Sequence, residues 1–145
     1  MTEMKIPPLT ARIVPQRGRM NFLVTLFGNW FLRGEALVFN LARHHCQEYN
    51  GGSWHYVRLS NGGGYMYPES PEWFNVSVNS NQFGGEMSAE AAGIVLTIFA
   101  LNRLSWSAYD NNYQGFADKL IIEQERLKDY AEQHPESALI YRAIN

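Results

Sequence analysis

A single cysteine, Cys46, in 145 residues leaves no partner for an internal disulfide. Such cysteine usage fits a reducing compartment, and the cytoplasm is the expected location. Long apolar runs are also missing. The longest, Ala91 to Leu101 in AAGIVLTIFAL, runs straight into Asn102 and Arg103, and it falls short of the roughly 20 residues that span a bilayer. It reads as a buried helix, and no membrane segment is expected. The opening stretch MTEMKIPPLTARIVPQRGRM has prolines where a secretion signal needs its apolar region, so residues 1–19 are expected to form an extended lead-in. Neither a G-x-S-x-G elbow nor an H-E-x-x-H pair occurs. No enzyme, catalytic residue or cofactor is therefore expected.

What is present is a glycine-rich stretch, GGSWHYVRLSNGGGYMYPE, from Gly51 to Glu69. A phosphate cradle would need its glycines to open a helix, whose N-terminus attracts the anion. Here Tyr65-Met66-Tyr67-Pro68 follows Gly64 instead, and aromatics next to a proline favour an extended chain over a helix. Before the glycines, Trp54 to Leu59 alternates. Trp54, Tyr56 and Arg58 fall on one face, with His55, Val57 and Leu59 on the other. Asn61-Gly62-Gly63-Gly64 is then the turn of a β-hairpin, since Asn and Gly tolerate the positive φ that such turns require.

Helical spacing begins near Met20, with Leu23, Phe27, Trp30, Phe31, Leu37, Val38, Leu41 and Ala42 at intervals of three and four. Gly28 and Gly34 weaken this pattern, so a short helix followed by a longer one is expected. The second is expected to end near Tyr49, where Asn50-Gly51-Gly52 can cap it. Phe74 to Val78 alternates apolar and polar residues as a third antiparallel strand. The following NSNQFGGEM is expected to be loop. Ser88 is a suitable N-cap for the apolar helix, expected to run to about Ser107, with Glu86 and Glu90 near its positive end. A last long helix from Gln114 to Gln133 places Leu120, Gln124, Leu127 and Ala131 on one stripe and turns EQERLKDYAEQ to water, where Glu125, Arg126, Lys128 and Asp129 can pair at helical spacing. Pro135 starts a short terminal helix. This order of helices, strands and helices predicts one α+β domain over residues 1–145, a helical body packed with a small three-stranded antiparallel sheet.

His44, His45 and Cys46 resemble metal ligands as letters, but neighbours on a helix point about 100° apart, and no second ligand pair stands at zinc spacing. No metal site is expected. His55 and His134 show no acid partner in the sequence. Charge is unevenly spread: residues 1–60 hold seven basic and three acidic side chains, residues 61–145 five and eleven. The basic half with the aromatic face of Trp54, Tyr56 and Arg58 leaves open a nucleic-acid-binding module. The acidic half does not amount to a DNA mimic. A helix from Asp118 to Glu136 is roughly 28 Å long and carries a net −3, against about 17 negative charges on a duplex of that length.

The pieces FGNW, YNGGSWHYVRLSNGGGYMYPE, NQFGGEMSAEAAGIVLTIFALNRLS and the terminal IYRAIN, in this order from about Leu9 to Asn145, resemble the ArdB/KlcA antirestriction family. The resemblance implies a small cytoplasmic protein of plasmids, phages or other mobile elements that protects incoming DNA from host type I restriction enzymes and leaves modification intact. It implies as partner the host type I restriction-modification complex, met directly or indirectly, and a mechanism other than DNA mimicry. The best working surface in the sequence is the hairpin: Trp54, Tyr56 and Arg58, the turn Asn61, Gly62, Gly63 and Gly64, and Tyr65 and Tyr67 opposite. The alternative is that the same residues fix the turn and pack the sheet on the helices.

Overall fold

The computed structural model describes residues 7–145; the first six residues of the expected lead-in lie outside this range. Within it, five strands and five α-helices follow in the order β1 (Ala11–Ile13), α1 (Arg19–Phe27), α2 (Phe31–His45), β2 (Trp54–Leu59), β3 (Gly64–Pro68), β4 (Trp73–Val78), β5 (Phe83–Ser88), α3 (Ala89–Asp110), α4 (Gln114–Gln133) and α5 (Ser137–Ile144). The architecture is α+β, with a three-stranded antiparallel sheet in the order β1-β2-β3 and a separate two-stranded sheet of β4 and β5.

The expected third strand does form, but in the other sheet. β4 pairs with β5 from Trp73↔Ser88 to Val78↔Phe83, so the expected loop over NSNQFGGEM is a hairpin. A 3-10 turn at Asn79–Asn81 and a left-handed Gln82 at φ 52° close it. Gly84 and Gly85 hide the alternation in the sequence, although Phe83 and Met87 both point inward and are buried. The third place in the first sheet belongs to β1, inside the lead-in. It pairs Ala11↔Leu59, Arg12↔Arg58 and Ile13↔Val57. All three of its residues are exposed, so no buried face marked it, and Pro8 and Pro15 on either side suit an edge strand.

α3 is the central element, touching α2, α4, α5, β3, β4 and β5. Its 22 residues have the length and apolarity of a bilayer span, with mean hydropathy 1.3, yet 72% of that window is buried within the fold. Ser88 caps it as expected: its Oγ accepts the Ala91 amide at 3.1 Å. Gly93 brings β3 directly onto the helix, for a Cβ there would lie 2.2 Å from the Met66 carbonyl. α4 buries Leu120, Gln124, Leu127 and Ala131 as the stripe requires, together with Glu123, which the sequence pattern assigns to water. Arg126 pairs with Glu123 at 2.9 Å, whereas Glu125, Lys128 and Asp129 make no ion pair among the described residues.

α2 stops at His45, short of Tyr49. Cys46 turns extended to bridge Val76, and Gln47 donates its amide to the Asn75 carbonyl at 3.1 Å, so pairing with β4 overrides helical propagation. Gly51 and Gly52 do adopt positive φ, at +99° each, but in the connection to β2. Pro135 lies in the turn before α5, which begins at Ser137.

Candidate functional site: the β2–β3 hairpin and its flanks

The turn between β2 and β3 uses its own backbone donors. Leu59 donates to the Gly63 carbonyl at 2.9 Å, Gly62 donates to the Leu59 carbonyl at 3.0 Å, and the Gly63 amide goes to Asn61 Oδ1 at 2.9 Å. No row of free amides remains at Gly62 and Gly63 to cradle a phosphate. Gly62 supplies the positive φ, +89°. The other two glycines serve close approach: a Cβ on Gly63 would meet Arg126 Cβ at 2.9 Å, and one on Gly64 would meet the Phe22 ring at 2.6 Å and the Val57 carbonyl at 2.8 Å. Asn61 completes the clamp by donating Nδ2 to the Arg126 carbonyl at 2.9 Å. The tip is therefore docked on α4.

Both faces of β2 are covered. Trp54, Tyr56, Val57 and Leu59 are all buried, as is Tyr65 on β3. Trp54 donates Nε1 to the Tyr49 hydroxyl at 3.1 Å and Tyr56 donates its hydroxyl to Glu35 at 2.5 Å. The aromatic face that could have stacked bases thus points into the core, because α1 and α2 close over it, with Phe22 and Glu35 on Tyr56 and Phe39 on Trp54. Of the nine residues assigned to the hairpin surface, Arg58, Asn61, Gly62 and Tyr67 keep partial exposure, and Trp54, Tyr56, Gly63, Gly64 and Tyr65 do not.

Around the exposed remainder lies a basic flank that sequence spacing did not reveal. Arg12 stands directly opposite Arg58 across the β1–β2 ladder, an arrangement of like charges that destabilises a sheet unless something offsets it. Neither arginine has an ion pair among the described residues. The Arg58 guanidinium instead sits 4.9 Å from the centre of the Phe22 ring, with its Nη1 buried and without a hydrogen-bond partner among the described residues. Lys119 donates to the Thr25 carbonyl at 2.8 Å. Beneath them is Glu123, whose Oε1 accepts from Arg126 and whose buried Oε2 has no hydrogen-bond partner among the described residues. Burial pushes the Glu123 pKa up, against the pull of Lys119, Arg126 and Arg58. This carboxylate feels three cations from two elements but pairs with Arg126 alone, so the flank is net positive.

On the other side of β3, Tyr65 donates its hydroxyl to Glu90 at 2.9 Å, and His134 Nε2 lies 3.3 Å from the same carboxylate. The Glu136 amide donates to His134 Nδ1 at 3.0 Å, so the ring proton of the neutral tautomer belongs on Nε2, facing Glu90. Both nitrogens are then occupied, and His134 has no free nitrogen to act as a base. Glu136 in turn accepts the Ser88 amide at 2.8 Å and the Ser88 hydroxyl, tying the start of α3 to α5. His134 thus has an acid partner, and so has His55, 3.6 Å from Glu69. One carboxylate is distant in sequence and the other follows the opposing strand, which is why neither was legible. Glu86 stays exposed on β5.

The hydrogen bond from His134, followed by that from Tyr65, holds the Glu90 carboxyl below its usual range. A carboxyl lowered on folding contributes stability above its unfolded pKa, about 4.3, and that contribution is lost as pH falls through the folded value. Glu90→Gln is therefore expected to flatten the decline in urea midpoint between about pH 5 and pH 3. A variant whose acid limb keeps the wild-type slope would place the acid sensitivity elsewhere.

Of the His44-His45-Cys46 run, His44 is exposed, His45 half-buried and Cys46 in the core. His45 donates Nδ1 to the Ser77 carbonyl at 2.7 Å, and burial pushes the Cys46 thiol up to about 12.

With this geometry in place, comparison with known proteins is specific. The antirestriction protein family matches residues 47–145. Two Escherichia coli proteins named antirestriction protein KlcA are 45% and 46% identical, the first over 95% of this chain and 96% of its own length, the second over the whole of both. A putative antirestriction protein, YubI, of Escherichia coli K12 is 40% identical over 91% of this chain and 93% of its own. Among solved structures, one reported for the KlcA and ArdB proteins superposes with a TM-score of 0.85 at 45% identity, over 99% of this chain and 100% of that one. Those proteins are described as having a novel fold and antirestriction activity against Type I DNA restriction systems in vivo but not in vitro. The chain belongs to the antirestriction protein family, with the α+β fold of KlcA and ArdB.

Proposed function

We propose that this protein acts in the cytoplasm to protect incoming mobile-element DNA from host type I restriction enzymes, as a non-enzymatic inhibitor that leaves modification intact. The observation that carries the reading is the full-length match, in sequence and in fold, to KlcA and ArdB, for which activity against type I systems is reported. The chain works as one unit over residues 1–145, a reading supported by a core that draws on residues from Val14 to Ala143. Charge argues against DNA mimicry. The hairpin side is basic, and α4 with the turn after it carries only a net −3, far from a duplex in density. Within the hairpin, the working groups are Arg58, Asn61, Gly62 and Tyr67, while the buried aromatics and Gly63 and Gly64 hold them in place.

The test is the plating efficiency of unmodified phage on a type I restricting host, with and without the protein, beside a matched host lacking the nuclease. A rise confined to the restricting host is expected, with progeny phage still modified. No rise with soluble protein present would overturn the reading, and unmodified progeny would overturn its second half.

A second reading rests on the Arg12–Arg58 pair: direct nucleic-acid binding through phosphate contacts, since the aromatic platform is unavailable. Its mark is a mobility shift that weakens steeply between low and moderate salt.

A further inference from the structure

α3 is covered along most of its length, but its last turns emerge beside the start of α4. There a groove of about 490 Å³ opens between the two helices. Its walls are Trp106, Tyr109 and Ile121, which are 62%, 55% and 45% exposed. Trp106 and Tyr109 meet edge to face at 6.3 Å, so the two rings present one ridge. Buried Ser105 and Gln124 line the floor. Large apolar side chains left in water beside a polar floor are the composition of an interaction surface, and Trp and Tyr are the residues that most often carry binding energy there.

The rim is acidic. Asp118 lines the groove, Glu125 follows it on the same α4 face two turns on, and Asp110 ends α3 beside Tyr109. All three are exposed, and none makes an ion pair among the described residues. The cation of α3, Arg103, lines the separate α2–α3 groove with Arg33 and Asn40, away from this rim. From Asn102 to Tyr109 the groove spans about 10 Å of helix axis, the length of roughly two helical turns.

We propose that this groove docks an amphipathic α-helix of a partner protein, with an apolar ridge seated between Trp106, Tyr109 and Ile121 and basic residues on its flanks against Asp110, Asp118 and Glu125. A helix laid in a groove engages through residues at i, i+3, i+4 and i+7, which matches this length and its apolar centre. A second copy of the chain fits less well, because a two-fold contact would set the acidic rim against itself. The site is separate from the residues around the hairpin tip, and the proposal stands apart from the restriction activity.

The test titrates the isotope-labelled protein with a synthetic amphipathic helix of leucine and lysine, and with its leucine and glutamate counterpart, following amide and indole NMR signals. Saturable binding of the lysine peptide is expected, with shifts confined to Trp106, Tyr109, Ile121 and their neighbours, while the glutamate peptide leaves the spectrum unchanged. Trp106→Ala is expected to weaken binding about tenfold or more. The double change Asp118→Asn with Glu125→Gln is expected to weaken it several-fold and to remove much of its salt dependence. Circular dichroism checks that each variant stays folded, as exposed positions should. Equal binding of the two peptides, shifts scattered over other faces, or no saturation would overturn the proposal. So would a concentration-dependent dimer that Trp106→Ala abolishes, which would assign the groove to a second copy.

Discussion

Alanine at Gly93 is expected to destabilise the protein severely, lowering the urea midpoint by an amount equivalent to about 3 kcal/mol or more. Helix propensity alone favours the change by about 1 kcal/mol, since glycine is costly in a helix interior. Contact reverses the sign. A Cβ on Gly93 would stand 2.2 Å from the Met66 carbonyl oxygen, 2.3 Å from Tyr67 Cβ and 2.7 Å from Tyr67 Cα. Two of those atoms are backbone and the third is fixed to it, so no rotamer change relieves the overlap. β3 must move off α3, which also stretches the bond from the Met66 amide to Thr97 Oγ1, 3.2 Å. Domain stability is about 5–15 kcal/mol, so a loss of this size removes a large share of it. Gly115→Ala is the control. It sits in the first turn of α4, where an added Cβ would meet nothing within 4 Å, and it is expected to raise the midpoint by an amount equivalent to about 0.5–1 kcal/mol. Equal behaviour of the two variants would mean that α3 and β3 do not depend on this close approach.

The same pair of glycines marks where sequence reasoning stops. Gly93 sits inside an apolar run that announces a buried helix, but nothing in the run says which strand will lie on it. Local signals were legible. Asn61 to Gly63 specified the turn, with Gly64 already in β3, Ser88 specified the cap, and Leu120, Gln124, Leu127 and Ala131 the buried stripe of α4. Elements defined by a distant partner were not. β1 exists because β2 offers an open edge to three exposed residues, and α2 ends where β4 captures Cys46. The sites follow the same rule. Burial of Glu123, the Glu90–His134 contact and the Arg12–Arg58 pair depend on residues brought together from far along the chain. Trp54 and Tyr56 illustrate the reverse case, since alternation put them on one face and could not say that α1 and α2 would cover it. The apolar helix was expected to end near Ser107, with Trp106 as its tail, whereas α3 runs on to Asp110 and carries both Trp106 and Tyr109 in water.

Phe22→Ala is expected to carry the second large effect, a loss of about 3–5 kcal/mol and a fall in Tm of about 10 °C or more. Phe22 is fully buried and lies under the hairpin. Its ring meets the position of a Gly64 Cβ at 2.6 Å, touches Tyr56 edge-on at 5.7 Å between centres and supports the Arg58 guanidinium at 4.9 Å. The cavity left behind is bounded by strand backbone and by Tyr56, whose hydroxyl is held on Glu35, so it can collapse only partly. Phe22→Leu should recover much of the loss, because it restores volume without the ring. Arg58→Ala separates support from function. The guanidinium contributes a cation–π contact of about 0.5–2 kcal/mol, and its removal also relieves the repulsion from Arg12, so the thermal midpoint is expected to move little. If Arg58 belongs to the working surface, that variant should lose protection of phage DNA in the restricting host while remaining folded. Full protection by a stable Arg58→Ala protein would return the hairpin to the scaffold.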